Sequence, residues 1–239
     1  PNRLNREFKQ NTPGKVMLTD ITYMPYGNNK IAYLSTIKDS STNEILAYNL
    51  SNSLAIDIVT ETINKLVKLK SFKLHKDAFI HSDKGSHYTS PIFQKLLKKN
   101  KLGQSMSRRG NCWDNAPQES FFGHMKDECD LSGCSTPEEV KEMIDDYVYY
   151  YNNERPQWTR NKMTPAEYED YLNSLSDSEY SDYLQNEQEK YDKMMKKARE
   201  KALKRAVELG ALTEEDMELY GSGKKEEQAA ADRGTETCA

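Results

Sequence analysis

A short strand that runs straight into an acid, Ala78-Phe79-Ile80-His81-Ser82-Asp83-Lys84-Gly85-Ser86-His87-Tyr88, frames the rest of the chain. Ala78–His81 is short and apolar enough for a buried strand, and polar and charged groups follow at once. Open α/β sheets place ligand sites just beyond such strand ends. Gly85 lets backbone approach a phosphate closely. The alternative is that Asp83–Tyr88 is simply a loop.

Upstream, Val16–Tyr23 is rich in β-formers and carries Asp20 inside it. Pro25, Gly27, Asn28 and Asn29 signal a turn over 25–30. Ile31–Ile37 and Glu44–Leu50 are further strand candidates, separated by the polar Asp39–Asn43. Together the three predict an antiparallel meander. Leu54, Ile58, Thr62 and Leu66 share a face, with Ile63 and Val67 nearby, which predicts a helix over Leu54–Leu69. Downstream, Ser90-Pro91 opens a helix with Pro91 at its first position. That helix is expected to bury Ile92, Phe93, Leu96 and Leu97 and to turn Lys95, Lys98 and Lys99 outward. Leu102–Ser107 is a short strand, and a helix from about Ala116 to Asp130 follows a loop at Arg109–Asn111. The order βββ-α-β-α-β-α predicts an α/β class, a mixed five-stranded sheet flanked by helices.

Residues 136–153 form a further helix with Tyr147, Tyr149, Tyr150 and Tyr151, and Thr164 caps a short one. We expect an extended segment over 1–15, a catalytic core over 16–172, and a charged tail over 173–239. Within the tail, 177–209 reads as a long solvated helix. A second short helix begins at Thr213-Glu214-Glu215-Asp216, and Gly221–Ala239 is polar and expected to be disordered.

The chain has 239 residues and a net charge of −4. The charge is uneven, +1 over 1–173 and −5 over 174–239. No run of 18 apolar residues suggests a membrane span. No secretory segment opens the chain, and its start at Pro1 suggests a fragment. Cys112, Cys129, Cys134 and Cys238 form no CxxC pair, which argues against zinc and for free thiols in a reducing compartment. Between Asp83 and Asp114 there is no acid but seven bases: Lys84, Lys95, Lys98, Lys99, Lys101, Arg108 and Arg109. They make either a solvated helix face or a positive approach to phosphate.

Asp20, Asp83 and Glu119 carry the chemistry, with 35 residues between the last two. Two strand acids and one helix acid can form a carboxylate cluster, which suits hard divalent cations such as Mg²⁺. Two such cations about 3.5–4 Å apart are a recurrent device for displacement at phosphate. Lys126 lies seven residues after Glu119 and shares its helix face, placing a base beside the acid to pair a phosphate. Phe121 and Phe122 anchor the same helix in the core. Ser105–Ala116 is rich in donors. Arg108 and Arg109 can fork onto phosphates. Trp113 stacks on a base or packs inside, and Asp114 can cap the Glu119 helix. His87 and His124 suit DNA contact or plain surface.

Four strings, Leu18–Tyr23, His81–Tyr88, Ser105–Ala116 and Glu119–Phe122 with Lys126, resemble the core of bacterial insertion-sequence transposases of the IS-three type, relatives of retroviral integrases. Tyr150–Arg155 and Met163–Tyr168 resemble that family's C-terminal signature. The resemblance covers roughly 10–172. It implies an RNase H-like fold, a DDE triad of Asp20, Asp83 and Glu119, and Mg²⁺, with Mn²⁺ able to substitute. It implies cutting of 3′ ends and their transfer to DNA, a homo-oligomer on paired ends, and a cytoplasmic, nucleoid-associated bacterial protein. The DNA contacts it suggests are Lys126, Arg108, Arg109, Lys84, His87 and Asn115. Three departures stand out. The family's N-terminal helix-turn-helix region is missing, so a separate partner or fused region is expected to supply it. Val16 and Met17 stand where a tryptophan is frequent, and the acidic tail has no counterpart. The same acids also fit a plain RNase H-type nuclease, or a silent DNA-binding scaffold derived from a transposase.

Overall fold

Alternating apolar positions build the sheet. Strands β1 (Val16–Tyr26), β2 (Lys30–Asp39) and β3 (Ile45–Ser51) form the antiparallel meander, and β4 (Phe79–Ser82) and β5 (Gly103–Met106) follow. The sheet order is β3-β2-β1-β4-β5, with β1–β4 and β4–β5 parallel. The computed structural model describes residues 2–4, 10–107 and 115–213. Strand β1 runs three residues past the expected Tyr23, through Pro25. Proline is tolerated because β4 pairs only with Val16–Leu18, leaving that stretch of β1 an edge. The β1–β2 turn holds Gly27 at φ 48°, and a Cβ there would lie 2.6 Å from the Cys134 carbonyl oxygen. Glycine therefore lets the turn pack against the segment after α4.

Helices cover both faces. On one side lie α1 (Asp57–Lys68), the single-turn α2 (Ser86–Thr89) and α3 (Pro91–Lys99). Ile58, Ile63, Phe93 and Leu97 join Met17, Ile37 and Ile80 in that core. Helix α1 starts three residues later than expected, and Val67 is exposed. Ser90 caps α3, its Oγ accepting from the Ile92 N–H at 3.2 Å. Ile92, expected inside, is 57% exposed: Phe93 and Leu97, four apart, already form the inward face. On the other side α4 (Ala116–Glu128) and α5 (Pro137–Asn153) pack Phe121, Phe122, Met125, Ile144 and Tyr147 against Met24 and Leu34. A capping box between Thr136 and Glu139 starts α5. The expected Thr164 cap is in place, its Oγ1 accepting from the Glu167 N–H before α6 (Pro165–Ser174). This layered mixed sheet is the RNase H-like α/β fold.

The chain divides into two compact units between Ser174 and Leu175. The described part of the second unit holds α7 (Asp177–Glu208), started by a Ser176–Glu179 capping box and burying no residue. The expected short helix after Thr213 and the polar tail lie outside the described residues. Among the described residues no helix is long and apolar enough to cross a membrane.

Candidate active site

The β1–β4 register brings two of the acids level. Leu18 pairs with His81 in parallel, so Asp20 and Asp83 each lie two residues further along neighbouring strands. Asp83 falls just past the carboxyl end of β4, the edge where open α/β sheets bind ligands. Its Oδ1 accepts from the Gly85 N–H at 2.9 Å. A Cβ at position 85 would come 2.9 Å from that same oxygen. The glycine thus makes room for the carboxylate, a role not foreseen from phosphate approach.

Glu119 arrives from the first turn of α4. That turn is fastened to β2: the Gln118 amide donates to Thr36 Oγ1, and Lys38 Nζ donates to the Pro117 carbonyl at 2.5 Å. Thr36 is the residue paired with Asp20 across the β1–β2 ladder. The fastening therefore holds the turn that carries Glu119 against the strand next to Asp20. The carboxylates sense one another. Burial first, then the charges of Asp83 and Glu119, push Asp20 up to about 6, against the Ile21 N–H and Asn115 amide that it accepts. Those two bonds are 2.8 and 3.2 Å. Burial, with Asp20 and Asp83 adding, also raises Tyr88 well above its ordinary value.

Among the described residues, no three Asp, Glu, His or Cys side chains draw together tightly enough to enclose an ion. The donors at the three acids are nonetheless all oxygen, the chemistry of a hard cation. A cation there would offset the repulsion that helps lift Asp20.

The expected DNA contacts fall in different places. Lys84 and Lys126 are exposed. Lys126 lies two helical turns, roughly 10 Å, along α4 from Glu119 and lines a cavity with Lys30 and Tyr26. His87 is tied into the fold, its Nε2–H donating to the Leu54 carbonyl at 2.6 Å. Asn115, 3% exposed, spends its amide on Asp20 and so orients a carboxylate from inside the protein. Arg108, Arg109, Trp113 and Asp114 lie outside the described residues. Lys38, Gln118 and Tyr88 were not foreseen. Lys38 had a signal: it shares the strand face of Leu34 and Thr36, where a charge is out of place.

Two stretches, residues 10–112 and 119–172, match families described as integrase core domain. The chain is 37% identical over 169 residues to the putative transposase InsK for insertion sequence element IS150 of Escherichia coli (strain K12), covering 70% of this chain and 59% of that protein. It is 38% identical over 169 residues to an uncharacterized transposase-like protein of Haemophilus influenzae, covering 70% of this chain and 76% of that protein. A chain in the cryo-EM structure of the simian T-cell lymphotropic virus intasome with PP2A regulatory subunit B56 gamma shares the fold. Its TM-score is 0.53 at 14% identity, over 66% of this chain and 55% of that one. The fold and the two family matches define an integrase-type core. The chain belongs to the insertion-sequence transposases built on that core.

Proposed function

We propose that residues 10–172 form the catalytic core of a DNA transposase that hydrolyses a phosphodiester at an element end and joins the freed 3′-OH to a second DNA. One observation carries this: Asp20 within β1 and Asp83 just past β4 lie the same two residues beyond the Leu18–His81 pair, and the turn that carries Glu119 is tied to Thr36, the partner of Asp20. Asp20, Asp83 and Glu119 would hold divalent cations, Mg²⁺ first and Mn²⁺ as substitute. Such cations supply charge neutralisation at the phosphate and an activated attacking oxygen. Asn115 fixes the Asp20 carboxylate by donating its amide to Oδ2. Lys84 beside Asp83, and Lys126 on the helix of Glu119, bind flanking DNA phosphates, and Arg108 and Arg109 are further candidates by their sequence alone. No covalent protein–DNA link is needed, because the displaced 3′ oxygen remains on the DNA.

The partners that follow are DNA, further copies of this chain on paired ends, and a helix-turn-helix region, in cis or in trans, that reads the element's termini. A cytoplasmic, nucleoid-associated setting accords with this. The test is a cleavage and joining assay on element-end DNA with Mg²⁺ or Mn²⁺, comparing the chain with its Asp83→Asn variant. The variant should lose both reactions. Activity that survives the change refutes the triad, cutting of RNA–DNA hybrids without joining points to a nuclease, and DNA binding indifferent to metal points to a silent scaffold.

A further inference from the structure

Beside Glu119, on the same helix, a cavity of about 470 Å³ opens between α4 and the chain that follows α5. Among the described residues its wall carries Lys38, His124 and Arg155, the last already paired with Glu128 at 2.6 Å, together with Ser120 and Trp158, and no carboxylate. Lys38 is 3% exposed, with its Nζ 5.9 Å from the Phe121 ring centroid. Burial, with Arg160 adding to it, lowers Lys38 to about 7. An anion in the cavity would favour its charged form.

The rim is the more unusual part. Trp158 is 84% exposed, yet the chain around it is pinned. Gln157 and Met163 form an antiparallel bridge, the Lys162 N–H donates to the Gln157 carbonyl at 3.0 Å, and Asn43 Nδ2 donates to Gln157 Oε1 at 2.7 Å. The turn is closed by Asn161 at φ 56° and Lys162 at φ 63°, a left-handed pair that side chains rarely adopt. Strain of this kind is retained where a fixed geometry has a use. Lys162 Nζ sits 4.9 Å from the indole centroid. An aromatic held out on a rigid turn, with bases below it, is the combination that receives an unpaired nucleotide: the base stacks and the phosphate meets the cations.

We propose that this cavity holds an unpaired nucleotide of the DNA being processed, its base stacked on Trp158 and its phosphate facing Lys38 and His124. The site rests on the strand-transfer reading, since Ser120 on its wall is the residue after Glu119. DNA engaged by the acids passes its mouth, and a nucleotide withdrawn from the duplex would keep the end from re-pairing.

The test uses the full chain and two short DNAs, one fully paired and one with three unpaired nucleotides at its end. Binding is measured for the chain and for Trp158→Ala and Trp158→Phe, surface changes that leave the core untouched. The chain should prefer the unpaired end. Trp158→Ala should reduce that preference roughly tenfold, the loss of about one stacked base, and Trp158→Phe should keep most of it. Part of the tryptophan emission should be quenched by the unpaired DNA in the chain and not in Trp158→Phe. An unchanged preference in Trp158→Ala, or none in the chain itself, overturns the cavity assignment alone. Failure to bind either DNA overturns the strand-transfer reading with it.

Discussion

Replacing Lys38 by Met should make the protein more stable and less active at the same time. The lysine is the next-to-last residue of β2 and almost fully buried, and its pKa falls from 10.5 to about 7, chiefly through desolvation and then through Arg160. That fall corresponds to roughly 5 kcal/mol against the charged form in the folded state. Below about pH 7 both states carry the proton and the folded chain bears the whole cost. Between pH 7 and 10.5 the unfolded chain holds more protons than the folded one, so stability rises with pH. At pH 9 about 2 kcal/mol of the cost remains. Methionine matches the stem and has no charge. The hydrogen bond to the Pro117 carbonyl is lost with it, at about 1.5–3 kcal/mol.

The net expectation is a gain of about 2 kcal/mol at pH 6 that shrinks by about 3 kcal/mol on going to pH 9. Urea denaturation followed by circular dichroism at the two pH values measures it, and groups common to both proteins cancel in the difference. A stability gap equal at pH 6 and pH 9 within about 1 kcal/mol would refute a buried, destabilised lysine. Joining activity should fall at least tenfold, because the lost bond frees the first turn of α4 and lets Glu119 drift. A charge that costs stability and is retained for the site is the expected trade.

Two further outcomes follow from the same core. Glu44 lies against Glu169, and burial followed by that neighbour's charge pushes it from 4.5 up to about 8, while Glu169 is raised mainly by burial. The folded state therefore binds the extra proton, stability falls as pH rises from about 4.5 to 8, and Glu169→Gln should flatten that decline in thermal melts at pH 5, 6.5 and 8. Phe121, 2% exposed, meets the Tyr151 ring edge-on at 4.8 Å. Phe121→Ala should cost about 3–5 kcal/mol by equilibrium unfolding, and a loss below about 1 kcal/mol would mean that α4 is not anchored there.

The positions of Asp20 and Asp83 were legible because each follows a plain apolar run, Val16–Leu18 inside one strand and Ala78–Ile80 leading into the other. That the two stand level was not legible, because it depends on β4 pairing in parallel with β1, far upstream in the chain. Glu119 had no such local mark, and its interval from Asp83 in a resembling family stood in for it. What escaped notice depends on partners far away in sequence. His87 was free to face DNA until the Leu54 carbonyl, 33 residues earlier, accepted its Nε2–H. Asn115 was one donor among many until Asp20, 95 residues earlier, accepted its amide. Lys38 fell just past the expected end of its strand at Ile37, where the β2–β3 ladder shifts register. A polar residue after a strand reads as a loop. Two residues further into the same strand, it is a buried charge.

Helix α4 shows why such residues gather in one place. Its second half is held by ordinary means, with Phe121, Phe122 and Met125 in an apolar core. That core fixes the helix axis, but not the height or rotation of its first turn, where an acid must meet acids from two strands. The first turn is held instead by polar ties, Lys38 to Pro117, Gln118 to Thr36 and Asn115 to Asp20. Directional bonds specify position more finely than apolar contact, and they are costly when incomplete. Incomplete they are: among the described residues, Asn115 Oδ1 and Gln118 Oε1 are buried without a hydrogen-bond partner. A helix chosen only for stability would place apolar groups there. Departures from local rules are expected to cluster where a site demands them. Their concentration within four residues of Glu119 therefore argues for a working acid on α4, independently of the interval that first drew attention to it.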